Sequence, residues 1–246
     1  MRVTPIVLCA GLLAVAGCNS SLLPSGPGLG RPAGSGQLIP PHTAALARDG
    51  RDSAELDVVS GAATVSVSAA RLGGDLLRAS TPPDSGVRPA LVAGQAVQVF
   101  LDGTGQGGPA ALRIVLNAAV RWRLVFSGGA SQTSVSMAGG RLSGADFTAG
   151  TSLLRLVLPD PGGSAVIVLA GGASELDLSL PAGVPARLRL DGGASAVTLN
   201  GRSYTGLAGG TVLTMPGWGD AASRYDIVAP AGVSAVLVTS RQPGAR

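Results

Sequence analysis

From about Ser53 onward the chain alternates apolar and polar residues in short bursts, as strands with one dry and one wet face do. The clearest burst sets Leu176, Leu178 and Leu180 against Glu175, Asp177 and Ser179. A Pro181-Ala182-Gly183 turn follows, and then Val184, Ala186, Leu188 and Leu190 alternate with Pro185, Arg187 and Arg189. The same offsets carry Leu112, Ile114 and Leu116, then Val120, Trp122, Leu124 and Phe126, and further on Leu154, Leu156 and Leu158. The pattern predicts that Leu178 is buried and that Asp177 beside it is exposed. After Cys18 no window shows a helical period, so the fold class is all-β.

The bursts belong to a repeat. GGAS begins at Gly128, Gly171 and Gly192, AGTS at Ala149 and GGPA at Gly107, which sets a period of 21–22 residues over at least five units. Each unit reads as strand, tight turn, strand and glycine-rich corner. Apolar positions at fixed offsets favour stacked coils, a β-solenoid of two-strand repeats spanning residues 53–242 with about eight rungs ~4.8 Å apart. Asp191-Gly192 and Asp102-Gly103 have the chemistry of hairpin turns, so a β-sandwich or meander is the alternative. Arg141 stands where an apolar residue is expected and marks a local bulge. The stretch 204–226 departs from the repeat and reads as a loop or a cap over an open end. Its aromatics Trp218, Tyr204 and Tyr225 are the candidate partner contacts.

The run from Gly171 to Ser195, GGAS-x-x-x-L-x-L-PAG-V-x-A-x-L-x-L-DGGAS, resembles the toast-rack, or adhesin-type, β-solenoid domains of bacterial envelope proteins. The resemblance extends over Leu56 to Ser240 and is clearest from Arg121 to Pro216. It implies an extracytoplasmic interaction or envelope-sensing role without catalysis, and it supplies no catalytic motif to carry over.

The N-terminus carries a second resemblance. Arg2 precedes an apolar run from Ile6 to Ala16 that closes on Val15-Ala16-Gly17-Cys18, similar to the lipobox of bacterial lipoproteins. That resemblance implies that residues 1–17 are a signal peptide and that Cys18 is lipidated. The protein is then held at the extracytoplasmic face of the cell membrane. The apolar stretch falls short of the ~20 residues a spanning helix needs. Residues 18–52, rich in Pro, Gly and Ser, read as a flexible tether. His42, the single histidine, falls in that tether and reads as incidental. Cys9 and Cys18 are the two cysteines, so the repeat region has neither a disulfide nor a thiolate site.

Composition removes several classes of function. All 18 basic residues are arginine. Without Arg2 the balance is 17 arginines against 14 acids, and they read as scattered singly with few aromatics beside them. That excludes a nucleic-acid partner, which requires a basic stripe with stacking residues. Glu175 and Asp177 share one strand face, a spacing from which a glycosidase pair could be built. No neighbouring unit repeats them: Ser134 and Ser136, then Arg155 and Val157, take the matching offsets, and Arg155 is placed to pair with Glu175. With no histidine or cysteine in the repeat region to serve as base or nucleophile, the expectation is no catalytic residue, no metal and no cofactor. The expected partners are the membrane, through lipid on Cys18, and an envelope polysaccharide or another envelope protein. A carbohydrate-binding or carbohydrate-active β-helix protein is the alternative reading.

Overall fold

The alternation is realised as nineteen strands in a computed structural model that describes residues 42–241. The signal segment, Cys18 and most of the tether lie outside the described residues. The strands form two mixed sheets, one of ten and one of nine. The repeating element is a rung: one strand in the nine-stranded sheet followed by one in the ten-stranded sheet. The rungs are β2 (Ser53–Val58) with β3 (Ala62–Ala70), β6 (Ala96–Gly103) with β7 (Ala111–Asn117), and β8 (Arg121–Phe126) with β9 (Ala130–Ser136). They continue as β10 (Arg141–Phe147) with β11 (Thr151–Val157), β12 (Ser164–Leu169) with β13 (Ala173–Leu180), β14 (Ala186–Leu190) with β15 (Ala194–Leu199), and β18 (Arg224–Ala229) with β19 (Val233–Ser240). Neighbouring rungs pair in parallel in both sheets.

The rungs do not follow one another in chain order, as a simple solenoid requires. In the ten-stranded sheet the parallel order is β7, β3, β9, β11, β13, β19, β15, and the nine-stranded sheet matches it rung for rung. The rung β6/β7 is laid outside the earlier β2/β3, and β18/β19 slots in between β12/β13 and β14/β15. Antiparallel strands flank both ends. The strands β4 (Asp75–Ser80) and β5 (Val87–Val92) pair with β7 and β6, while β16 (Arg202–Leu207) and β17 (Thr211–Thr214) pair with β15 and β14. Within the stretch expected as a loop or a cap at 204–226, residues 204–207 and 211–214 are therefore edge strand, and 224–226 already belong to the interior strand β18. At the other end β1 (Thr43–Ala47) pairs with β4, inside the segment read as tether, so the folded part begins earlier than Ser53. His42 is positioned rather than incidental: its Nδ1 lies 2.8 Å from the Thr81 hydroxyl.

Side chains from both sheets fill one core. The apolar positions read from the repeat all face it: Leu112, Ile114 and Leu116, Leu154 and Leu156, Leu176 and Leu178, and Ala186, Leu188 and Leu190 are buried. Trp122 is fully buried, and its indole N–H donates to the Asn117 carbonyl at 3.0 Å, meeting the ring's one polar demand. Phe126 and Phe147 occupy equivalent places on adjacent rungs and stack with centroids 4.6 Å apart. The expected bulge at Arg141 is present. The register between β10 and β8 shifts between Leu142 and Gly144, which leaves Arg141 exposed beside Arg121 and returns Ala145 and Phe147 to the core.

The glycine corners have a steric cause. A Cβ on Gly128 would run into the backbone of Ser60 and Gly61, and one on Gly171 into Ala149 and Gly150. Neighbouring rungs pass so closely at these corners that only hydrogen fits.

Candidate functional site

The three aromatic residues singled out from the sequence do not form one surface. Tyr225 is the second residue of the interior strand β18 and is fully buried, so it offers nothing to a partner. Its hydroxyl donates to the Pro159 carbonyl at 2.8 Å. Burial, with a smaller contribution from Asp160, raises its pKa far above the ordinary tyrosine value. Tyr204 lies on the edge strand β16, half-buried against the core. Trp218, in the turn after β17, folds back against the nine-stranded sheet. The Arg187 guanidinium carbon sits 3.9 Å from its ring centroid and that of Arg224 4.9 Å, while the indole N–H donates to Tyr225 O at 2.8 Å. The indole thus clamps the end of the stack, which accounts for an aromatic residue there without a partner.

The two sheet faces differ in character. On the outer face of the nine-stranded sheet, away from its corners, the arginines lie beside carboxylates. Arg123 reaches Glu55 at 3.6 Å and also pairs with Asp146, and Asp226 accepts from Arg187 at 2.8 Å and lies 3.5 Å from Arg189. The hydrogen bond from Arg187 to Asp226 raises the Arg187 pKa above its ordinary value. The ten-stranded sheet is richer in hydroxyls. Ser131, Ser152, Ser174, Ser234 and Ser195 are the second residues of consecutive strands along the stack, all exposed. Open grooves of about 530 and 430 Å³ run past four of them at the glycine corners.

Glu175 and Asp177 have different neighbours from those expected. The register sets Glu175 opposite Leu153 and Asp177 opposite Arg155, and Arg155 Nε lies 3.3 Å from Asp177 Oδ2. The ion pair is therefore with Asp177 rather than Glu175, because the matching offsets fall two residues earlier than read from the repeat. Among the described residues, no three His, Cys, Asp or Glu side chains gather as a metal-binding group.

Stacking also assembles something that the sequence does not display. Every arginine on the sheet faces except Arg113 has a carboxylate within ion-pair distance. At the corners leading from the ten-stranded to the nine-stranded sheet the opposite holds. Arg121, Arg141 and Arg224 begin strands there, Arg71 and Arg241 follow strand ends, and Arg51 and Arg202 lie beside them. None of these makes an ion pair with an acid among the described residues. Read singly along the chain they look scattered; the available signal was their recurrence next to turns, at Arg121 and then Arg141.

No protein-family model and no curated sequence matches the chain. The fold is similar to the crystal structure of a putative cell adhesion protein from Clostridium sporogenes ATCC 15579, with a TM-score of 0.59 and 14% identity. The alignment covers 81% of this chain and 98% of that one. At this identity the likeness is one of fold.

Proposed function

We propose that this protein is a non-catalytic interaction module at the outer face of the cell membrane, anchored by lipid on Cys18. The observation that carries the interaction reading is the surface: long regular sheet faces, with open grooves of about 530 and 430 Å³ along the glycine corners. The fold likeness to a protein described as a putative cell adhesion protein supports a surface role of this kind. The lipobox-like Val15-Ala16-Gly17-Cys18 supports the anchor, and the proline- and glycine-rich residues that follow would give the module reach from the bilayer.

The anchor is tested by Cys18→Ala. The wild-type chain should fractionate with membranes and incorporate labelled fatty acid. The variant should accumulate as an unprocessed precursor or leave the membrane fraction, with no label in either case. A variant that still carries lipid label would disprove anchoring through Cys18.

A further inference from the structure

The row of unpaired arginines has a definite shape. Arg121 and Arg141 are register partners on adjacent strands, and Arg71 belongs to the next rung, which places three in consecutive rungs. Like charges directly opposite one another weaken a sheet, so the pairing of Arg121 with Arg141 is a cost that the fold does not relieve with an acid. Their other contacts are sparse: Arg121 reaches the Pro161 carbonyl at 3.4 Å, while Arg71 and Arg141 are exposed. Three aspartates, Asp49, Asp160 and Asp220, lie on the same edge without an arginine partner, so cations remain in excess. The opposite, glycine-lined edge carries Asp84, Asp102 and Asp191, with Arg88 held 3.9 Å from Asp102. The stack is thus polarised from edge to edge.

We propose that this arginine edge binds a linear polyanion of the cell envelope, a glycan or polyol chain bearing carboxylate or phosphate groups. The proposal deepens the interaction reading by naming the partner class. Guanidinium groups bind such oxyanions with paired, charge-assisted hydrogen bonds. A chain is favoured over a membrane plane by width. The free cations form a line along one corner, whereas the arginines on the adjoining sheet faces, apart from Arg113, lie within ion-pair distance of a carboxylate. A planar surface would engage only that ridge, while a chain laid along it meets an arginine at each of these rungs, whose strands are ~4.8 Å apart.

The probe is heparin, a linear sulfated polysaccharide, titrated against the full-length chain at several salt concentrations. Wild type should bind, with affinity falling as salt rises. The variant Arg71→Gln/Arg121→Gln/Arg141→Gln should lose at least tenfold in affinity and show a shallower salt dependence. The control Arg88→Gln/Arg123→Gln/Arg155→Gln removes the same charge from paired positions and should change affinity less than threefold. Melting curves check that each variant folds. If the edge variant does not, Arg141→Gln, on an exposed side chain, should weaken binding about threefold. Absence of wild-type binding, or equal losses in edge and control variants, would overturn the proposal. So would binding of wild type to phosphatidylglycerol vesicles but not to heparin, which would make the membrane the partner. The outcome does not depend on that of Cys18→Ala, so a failed anchor and a failed edge can be told apart.

Discussion

Leu178→Asp should abolish folding at 37 °C, while Asp177→Ser should leave the melting curve nearly unchanged. Leu178 is 1% exposed and sits midway along β13, with β11 and β19 on either side. Replacing it removes leucine packing worth about 2–5 kcal/mol and places a carboxylate in an apolar interior. The total reaches or exceeds the ~5 kcal/mol at the lower end of domain stability. Asp177 is one residue away on the outer face, and its side chain is 28% exposed. It gives up only the pair with Arg155, whose side chain is 60% exposed. A surface pair of this kind contributes at most about 1 kcal/mol. Thermal denaturation of the two variants side by side checks the prediction. Comparable losses in both would mean that β13 is not half-buried in this register.

A methyl group at the glycine corners should be almost as damaging. Gly171→Ala should destabilise by about 1–3 kcal/mol or more, the range for overpacking a site that cannot relax. The added carbon would meet the backbone of Ala149 and Gly150 on the neighbouring rung, and a backbone cannot rotate away as a side chain can. Gly139→Ala is the natural control. Nothing lies within 4 Å of a Cβ there, and its backbone is not among the positive-φ positions, so the effect should stay within about 0.5 kcal/mol. Chemical denaturation of both variants separates the steric explanation from a general intolerance of glycine replacement.

The inward positions were legible because burial imposes a period of two, and Leu176, Leu178 and Leu180 display it without interruption. The corner glycines were legible for a related reason: each rung must turn at the same place, so Gly128, Gly171 and Gly192 recur. Strand order was not legible. Interior strands β13, β15 and β19 all present alternating apolar residues, and alternation does not say which strand lies beside which. The edge strands were missed because their pattern is weak. In β1 only Leu46 is large, and in β16 only Tyr204 and Leu207 pack against the core. Tyr225 was misassigned as a partner contact because it looks like the end of a loop; it is the first core residue of β18. The arginine edge was hidden because its members lie far apart in sequence, and only the stacking of rungs makes them neighbours.

Both faces and the arginine edge depend on that stacking order, so the order is the quantity to measure. In a Cys9→Ala/Cys18→Ala background, the pair Asp177→Cys/Leu237→Cys should oxidise readily to an intramolecular disulfide. Those residues are register partners on the adjacent strands β13 and β19. The pair Asp177→Cys/Thr198→Cys should remain reduced. Thr198 pairs with Leu237 on the far side of β19, two strand spacings or about 9–10 Å away, beyond the reach of a disulfide. Rungs stacked in chain order would place β13 against β15 and reverse both results. Cross-linking of 177 to 198 without cross-linking of 177 to 237 would therefore contradict the structure described above.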